Sequence, residues 1–562
     1  MSDFENVEDE TLTDIQNKSI EMEHDNPIFI ESIENVVLNK KYYMIKKPQS
    51  ELIGALSVES ELISFTVFST NTGREVALSS KRLLLITDQE WTTSQDKTFE
   101  NYPNITKHAD QLMTKKLLPG WVEQDPCQIW TAINEVVSNV AHEMCRSGLP
   151  ATYIKSLGIT NETSTVLAWN IDTGQTLSNA IHWTDSRAVD GPIGVFEWLL
   201  NHSELVKCAK DKCRFGTLDT WILWKLTAGE VYVTELTNAS QTGLLALPEL
   251  EWNKFTCQAR GIPLVSLPVI RKPAHNTLYA VVAVGDLQGL SIYSVMGRPN
   301  ASMYGYSCDS VGQVSVTLDE RIITVMTVIG ECPVTFLSGL CPVVAYILPN
   351  STNKTSVLYA LRISFKSNEA IAWIKGNLGL VKSTAECMNA YNTASPSLPL
   401  YMSMGGDIYC APYKTLNSGG ILCGITSNTT KENIVCAAVD SMCFGVSDVL
   451  KMFLKEVDES LHTLFVDGAY SNYSSILQRM ADIYGNRVIK NHRKDMAIYG
   501  IAIAAGQAIN INLISNSCDP DVYDPKSSIE QRSEWTKQWN KCVLRSYGWN
   551  RINDKLCDQF LE

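Results

Sequence analysis

The stretch from residue 119 to residue 163 decides the fold class, and it begins with Pro119-Gly-Trp-Val-Glu-Gln-Asp-Pro126. From Ile129 to Cys145 the apolar residues recur every three or four positions, which predicts an amphipathic helix. The run Ile154-Lys-Ser-Leu-Gly-Ile159 then predicts a strand, and it leads into the polar loop Thr160-Asn-Glu-Thr163. A helix followed at once by a buried strand is typical of an α/β protein.

The rest of the chain continues this alternation over a length that favours two domains. At 562 residues the chain is too long for one compact core. A second group of elements begins near residue 300, with helices predicted at 433–456 and 471–483. Between them lie a predicted strand at 463–466 and the tight turn Asp467-Gly468. Residues 1–45 are acidic and poor in aromatic side chains, which predicts a disordered extension.

Charge and cysteine usage exclude several classes of function. The net charge of −14 argues against a nucleic-acid partner and against docking on an anionic membrane, since both require basic surfaces. The 16 cysteines include no CxxC pair and no cluster with zinc-ligand spacing. Apolar runs such as residues 322–329 are too short to cross a bilayer. We therefore expect a cytoplasmic protein with free thiols and no membrane anchor.

Several ordered motifs, spread over roughly residues 50 to 550, resemble one known family. They begin with the run at residues 119–126 and end with the stretch from Trp539 to Trp549. Between these lie Gly158-Ile-Thr-Asn161, Asn179-Ala-Ile-His-Trp183, Gly216-Thr-Leu-Asp-Thr-Trp221, Thr237-Asn-Ala-Ser240, Val284-Gly-Asp286, Ala411-Pro-Tyr413, Gly420-Ile-Leu-Cys-Gly-Ile425 and Asn433-Ile-Val-Cys-Ala-Ala-Val-Asp440. The chain resembles the FGGY carbohydrate kinases, and among them the glycerol kinases.

The resemblance implies two ribonuclease-H/actin-like domains with a cleft between them. The polyol-binding domain would span residues 46–295, with an insertion near 79–117, and the nucleotide-binding domain residues 296–562. Family members transfer the γ-phosphoryl group of Mg-ATP to a polyol hydroxyl. Mg²⁺ and backbone N–H groups hold the phosphates while a carboxylate accepts the hydroxyl proton.

On the polyol side, the resemblance implies a catalytic base and a set of substrate contacts. Asp286 follows an apolar run and matches the position of the base, and it would also contact the substrate. Trp183 matches an aromatic residue that packs on the carbon skeleton. The arginine and glutamate that grip the polyol are replaced by Thr163 and Ser164. Because charged hydrogen-bond partners are lost, we expect glycerol to bind weakly.

The first phosphate loop has two possible placements. In the first, residues 52–61 form the loop, Ser57 replaces the magnesium-associated aspartate, and a strand and hairpin follow. In the second, residues 83–94 form the loop and Asp88 is retained, but the hairpin is missing. The longer match favours the first placement. Both lack the glycine that lets backbone N–H groups approach a phosphate.

The remaining nucleotide contacts are also altered. The second phosphate loop would be Tyr304-Gly-Tyr-Ser-Cys308, which keeps Gly305 but loses a threonine and a second glycine. The adenine site would be Asp467-Gly-Ala-Tyr470, where Ala469 replaces a glycine beside Gly468. The motifs assign no metal ligand.

These substitutions fall on ligand-binding positions and spare the structural motifs. They predict a glycerol kinase-like pseudokinase with a binding or assembly role and no cofactor. The alternative is an active glycerol or polyol kinase with remodelled loops that uses Mg-ATP. Family members commonly self-associate, so we expect a homo-oligomer, or a hetero-oligomer with an active homologue. Such a partner could bring the protein to the mitochondrial surface.

Overall fold

The computed structural model describes residues 51–87, 117–188, 190–272, 277–319, 322–330, 332, 340–349, 355–366, 369–393, 400–404, 419–457, 460–514 and 519–547. The predicted extension at 1–45, Asp88 and most of the predicted insertion lie outside the described residues. The division of the chain at residue 295 stays a prediction.

In chain order the strands are β1 (Leu52–Val58), β2 (Leu62–Ser69), β3 (Glu75–Arg82), β4 (Ile86–Thr87), β5 (Val122–Gln124), β6 (Ile154–Asn161), β7 (Val166–Asn170), β8 (Ala180–Ile181), β9 (Cys213–Thr217), β10 (Val233–Glu235), β11 (Leu245–Ala246), β12 (Glu251–Trp252), β13 (Val269–Arg271), β14 (Ala280–Val281), β15 (Ser291–Gly297), β16 (Gln313–Leu318), β17 (Ile323–Ile329), β18 (Cys341–Pro349), β19 (Thr355–Phe365), β20 (Tyr401–Ser403), β21 (Ile421–Cys423), β22 (Thr463–Asp467), β23 (Arg487–Lys490) and β24 (Asp521–Tyr523).

The helices are α1 (Pro126–Arg146), α2 (Pro192–His202), α3 (Glu204–Ala209), α4 (Leu218–Leu226), α5 (Leu236–Ser240), α6 (Lys254–Ala259), α7 (Arg298–Gly305), α8 (Glu369–Gly376), α9 (Thr384–Thr393), α10 (Lys431–Glu456), α11 (Ser474–Tyr484), α12 (Met496–Gln507) and α13 (Ile529–Ser546).

The first large sheet has six strands in the order β14-β15-β6-β1-β2-β3. Strands β1, β6 and β15 run parallel, and β1, β2 and β3 form an antiparallel meander. The sequences LIGALSV and LISFTVFS of β1 and β2 are almost wholly buried, as expected for strands covered on both faces. Helices α1 and α4 pack on one face of this sheet and close its core.

The second large sheet has seven strands in the order β18-β19-β17-β16-β22-β23-β24. Strands β16, β22 and β23 run parallel, and β16 and β17 form a hairpin. The outer face of the sheet is covered by α8 to α11 and α13. Helix α10 is long and apolar enough to span a membrane by composition, yet 67% of its most apolar window is buried inside the protein. It is the core helix of this sheet.

Helices α7 and α12 form a layer between the two sheets. Their apolar side chains share one cluster with β1 and β2 of the first sheet and with β17, β18 and β19 of the second. The two helices touch at glycines: a Cβ on Gly500 would overlap the carbonyl oxygen of Ala301, and a Cβ on Gly305 would lie 2.6 Å from the carbonyl oxygen of Met496. This shared layer joins the two halves of the protein.

The architecture confirms the predicted α/β class with two ribonuclease-H/actin-like domains. The predicted helices at 129–145 and 433–456 are present as α1 and α10. The helix predicted at 471–483 begins later, at Ser474, because a short 3₁₀ turn, Ala469–Asn472, precedes it.

Candidate functional site

The candidate site lies where the carboxyl ends of the parallel strands meet. In the first sheet Val58 pairs with Asn161, and Asn161 pairs with Gly297, so β1, β6 and β15 end at the same level. In the second sheet Thr317 at the end of β16 pairs with Asp467 at the end of β22. The ends of parallel strands are the usual location of ligand sites in α/β proteins.

Arg298 joins the two sets of strand ends. It is the first residue of α7 and follows β15 directly. Its Nη1 atom lies 2.8 Å from Oε1 of Glu59, in the hairpin between β1 and β2, and 3.0 Å from Oδ2 of Asp495. Asp495 also caps α12 by accepting a hydrogen bond from the backbone N–H of Ile498 at 3.0 Å. The ion pairs therefore connect the first sheet to the α7–α12 layer.

Four carboxyl groups act on the charge of this guanidinium group, and two of them, Glu59 and Asp495, contact it directly. Burial works against the charge of Arg298, but Asp495, Glu59, Asp319 and Asp467 outweigh it and raise the pKa of Arg298 well above its ordinary value. The group thus stays protonated at every accessible pH. Arg298 therefore lies in strongly acidic surroundings at the strand ends.

Two of these carboxyl groups titrate far from their ordinary range. Burial raises the pKa of Glu59 to about 8, and Arg298 opposes that shift only in part. Burial also raises the pKa of Asp467 to about 6, although Ser302 donates a hydrogen bond to it at 2.5 Å. Desolvation outweighs attraction to the arginine in both cases.

A buried polar cluster holds the β1–β2 hairpin from behind. His182 places Nε2 3.0 Å from Oγ of Ser60 and 3.1 Å from Oε1 of Glu162, and both His182 and Glu162 are buried. The Ser60 hydroxyl donates to Glu162, and Nε2 of Gln124 donates to the Ser60 carbonyl at 2.8 Å. The cluster ties the hairpin to the loop that follows β6.

Most of the residues predicted on the polyol side lie near this cluster. Thr163 and Ser164 are buried in the loop after β6, and Ser164 has a left-handed φ of 70°. A Cβ on Gly297 would overlap Cγ2 of Thr163, so this loop contacts the end of β15. Trp183 follows β8, and its ring centroid lies 5.8 Å from that of His182.

The structure forms the strand that the first placement predicts, as β2, and the hairpin that follows it, but residues 52–58 of the predicted loop form the buried strand β1. Ser57 is buried at the end of β1, and its hydroxyl donates to Oε1 of Glu59 at 3.1 Å. Asp88, the residue that defines the second placement, lies outside the described residues. On the second sheet, Gly468 has a φ of 88°, and a Cβ there would lie 2.7 Å from the backbone of Leu318. Ala469 follows it in the 3₁₀ turn.

The prediction that placed Asp286 in the site is corrected by the structure. Asp286 is exposed in the turn between β14 and β15, beside α1. This turn precedes β15, whereas the site lies beyond its carboxyl end at Gly297. Seven residues of strand at about 3.3 Å each separate the two ends by roughly 20 Å. The residue that follows the parallel strand into the site is Arg298.

The prediction that placed Gly305 in a phosphate loop is also corrected. Gly305 is the last residue of α7 and packs closely against Met496 and Gly500 of α12. Its lack of a side chain serves helix packing. The hairpin between β16 and β17, which includes Asp319, occupies the corresponding strand end instead.

Sequence reasoning missed Arg298, Asp495, Asp319, Glu162 and His182. A usable signal for Arg298 was present, because the apolar run 291–297 is followed by Pro299, and proline is favoured in the first turn of a helix. No local signal marks Asp495, since its approach to Arg298 spans almost 200 residues of chain. Among the described residues, no group of three or more His, Cys, Asp or Glu side chains could hold a metal ion.

Comparison with known proteins agrees with this architecture. The N-terminal domain of the FGGY family of carbohydrate kinases matches residues 88–191 and 192–292, and its C-terminal domain matches residues 324–509. The chain belongs to the FGGY family of carbohydrate kinases. This confirms the family predicted from the motifs. The N-terminal match leaves out β1 to β3, which the structure nevertheless places in the first sheet.

The relatives include bacterial glycerol kinases. Glycerol kinase 1 of Streptomyces avermitilis is 28% identical over 506 residues, which cover 82% of this chain and 96% of the relative. Glycerol kinase of Clostridium perfringens is 27% identical, with 84% of this chain and 99% of the relative covered. The chain is therefore a divergent, glycerol kinase-like member of the FGGY family.

Solved structures show the same fold at lower sequence identity. Plasmodium falciparum glycerol kinase with ADP has a TM-score of 0.73 and 21% identity, with 89% of this chain and 99% of that chain covered. Ligand-bound xylulose kinase from Lactobacillus acidophilus has a TM-score of 0.70 and 16% identity, with 89% and 100% covered.

Proposed function

We propose that this FGGY family member is a pseudokinase, a glycerol kinase-like protein that does not transfer phosphoryl groups and acts through binding or assembly. The observation that carries the proposal is the contact of Arg298 with Glu59, together with the ion pair of Arg298 with Asp495, at the strand ends. Glu59 lies in the segment that the first placement assigns to the phosphate loop, and Arg298 follows the parallel strand β15 beside it.

An arginine after β15 cannot act as a general base. A guanidinium group has hydrogen-bond donors only and stays protonated in proteins. The acidic surroundings raise the pKa of Arg298 still further. A proton from a polyol hydroxyl therefore has no acceptor at this residue.

The residues present do not fit Mg-ATP. When bound, that cofactor supplies the phosphoryl group and the cation that neutralises its charge. Here the hairpin carries Glu59 and Glu61 in place of residues that would let a phosphate reach the backbone. An ionised carboxylate about 4 Å from a phosphate oxygen is repelled by roughly 4 kcal/mol at an effective dielectric near 20. Protonated Glu59 would avoid this repulsion but would still occupy the space.

A phosphotransfer assay with the full-length protein tests the proposal. We expect no ATP-dependent phosphorylation of glycerol and no thermal shift with Mg-ATP, while an active glycerol kinase in parallel gives both. Turnover within a hundredfold of ordinary kinase rates, roughly 1–100 s⁻¹, would overturn the proposal. Arg298→Asp serves as a matched variant: because the other phosphate contacts stay altered, we expect it to remain inactive as well.

The alternative is an active glycerol or polyol kinase with remodelled loops. It is supported by the match to 96% or more of the length of named glycerol kinases. In that case Mg-ATP would be the cofactor, and Thr163, Ser164 and Trp183 would line the polyol side. A screen of polyols with labelled ATP separates the two functions, because only the alternative predicts transfer to any of them.

A binding or assembly role requires a partner. We propose self-association, or association with an active homologue, in the cytoplasm, with mitochondrial-surface association through such a partner. Light scattering of the purified protein alone measures the mass of a homo-oligomer. The same measurement on a mixture with an active glycerol kinase detects a hetero-oligomer. A monomer under both conditions would contradict the assembly role.

A further inference from the structure

A second arginine, Arg362, reaches the interior from the opposite sheet. It lies in β19, opposite Met326 of β17 and Cys341 of β18. Its neighbours Leu361 and Ile363 pack into the core of the second sheet, and Ala360 faces the α7–α12 layer. Because side chains alternate along a strand, Arg362 faces the α7–α12 layer too. It is only partly exposed.

No carboxylate neutralises Arg362 among the residues that the structure describes. Its Nη1 atom donates to the amide oxygen of Gln241, and its Nε atom is buried without a hydrogen-bond partner. Burial accordingly lowers the pKa of Arg362 to about 10, and Cys341 offsets this only in part. Arg298, in contrast, has two carboxylates within 3.0 Å.

The polar groups beside Arg362 lead to the strand ends of the first sheet. Gln241 donates Nε2 to Oδ1 of Asn300 at 3.2 Å, and Asn300 donates to the carbonyl oxygens of Val344 and Ala345. A Cβ on Gly297 would lie 3.6 Å from Nε2 of Gln241 and would overlap Thr163. Arg362 thus borders the floor of the candidate site, on the side of the loop after β6.

The guanidinium group of Arg362 keeps an unpaired donor on the edge that Gln241 does not engage. Gln241 accepts from Nη1, whereas the buried Nε atom has no hydrogen-bond partner among the described residues. Two parallel N–H donors on such an edge match the two oxygens of a carboxylate or phosphate. A shielded cation without a counter-ion is costly in the free protein, and a bound anion removes that cost.

We propose that Arg362, positioned by Gln241, binds the oxyanion of a small metabolite, a carboxylate or a phosphate ester, at the floor of the cleft between the two sheets. The proposal rests on the proposed function, since it identifies the class of ligand that a non-catalytic site would retain. Arg362 would supply two hydrogen bonds and the charge, and Thr163 would border the rest of the ligand.

Thermal unfolding and calorimetric titration of the full-length protein test this site. The probes are sodium phosphate and sodium acetate, each compared with sodium chloride at equal ionic strength and without nucleotide. We expect at least one probe to raise the melting temperature of the wild type. Arg362→Met should remove the shift in melting temperature and weaken binding about tenfold or more. Arg362→Lys should give an intermediate shift and affinity, because lysine keeps the positive charge but lacks the planar set of N–H donors of the guanidinium group. A response to phosphate alone indicates a phosphate ester, and a response to acetate alone indicates a carboxylate.

Stability without anions separates ligand binding from a structural role. If the charge of Arg362 is uncompensated in the protein without a bound anion, Arg362→Met should raise the melting temperature in sodium chloride, because the substitution removes that charge. Arg487→Met, which alters an exposed arginine paired with Asp524, should leave the response to the probes unchanged. The proposal is overturned if neither probe exceeds chloride, or if Arg362→Met responds like the wild type. These experiments measure anion binding and not turnover. A finding of kinase activity would therefore refute the proposed pseudokinase function but not the anion site at Arg362.

Discussion

At the scale of single residues, Arg298 shows how one side chain changes the chemistry of a strand end. The backbone around it keeps the family architecture, with a parallel strand followed by a helix. The side chain supplies a permanent cation at the carboxyl end of β15. Glu59 and Asp495 then surround that cation, so acidic groups that would repel one another are held together.

The titration of Glu59 makes the stability of the protein depend on pH. Its carboxyl group has a folded-state pKa of about 8, against an ordinary value of 4.5. Between these values the native state holds a proton that the unfolded state has released, so the free energy of unfolding falls as pH rises. The slope from this group is at most about 1.4 kcal/mol per pH unit. We therefore expect the melting temperature to fall between pH 5.5 and pH 8.5, and Glu59→Gln to reduce the fall.

The matched control is Glu75→Gln, which alters an exposed glutamate on the edge strand β3. Thermal unfolding monitored by circular dichroism across this range should give it the wild-type slope. If Glu59→Gln retains the full wild-type slope, Glu59 does not titrate in this range.

At the scale of secondary-structure elements, the contact between α7 and α12 determines how closely the two sheets approach. Gly305 and Gly500 let the helix backbones meet, and Gly158 of β6 lies against Ile501 of α12 in the same way. Small residues at such contacts leave no space for a side chain. The elements that carry Arg298 and Asp495 therefore have a fixed separation.

Gly500→Ala should disrupt this contact. Its Cβ would overlap the carbonyl oxygen of Ala301 and lie 2.8 Å from the backbone nitrogen of Gly305, so the helices must move apart. We expect a loss of roughly 1–3 kcal/mol in the free energy of unfolding, measured by denaturant titration. Gly376→Ala is the control, because that glycine ends α8 with open space around it. An equal effect of both substitutions would contradict the packing role.

At the scale of the whole molecule, the α7–α12 layer belongs to both sheets. One apolar cluster contains side chains from β1 and β2, from β17 to β19 and from both helices. Hydrogen bonds between distant segments reinforce it, for example from Ser156 to the carbonyl oxygen of Ala505 at 2.8 Å and from Arg493 to that of Gly73 at 2.9 Å. Unfolding one sheet would expose the apolar face of the other.

We expect the two sheets to unfold together because they share this layer. Calorimetry should show one transition, with the same midpoint by circular dichroism and by tryptophan fluorescence. Two resolved transitions, or midpoints that differ between the two optical probes, would show that the halves are independently stable.

The sequence was sufficient for the fold class, the family and several individual elements. Helices α1 and α10 have strong apolar periodicity, and β2 and β6 are apolar runs bounded by polar residues, so local patterns marked them. Local patterns could not show which end of an apolar run faces the site. Asp286 and Gly305 were assigned to ligands because each lies in a segment that resembles a family motif.

The sequence by itself determined that the chain forms parallel strands covered by helices, because burial patterns are encoded within each segment. Only the tertiary structure decided which residues meet at the strand ends. Glu59, Arg298 and Asp495 lie far apart along the chain, and their meeting depends on the order of strands in two sheets and on the helix layer between them. Side chains from distant segments define a site through that topology, which no short stretch of sequence contains.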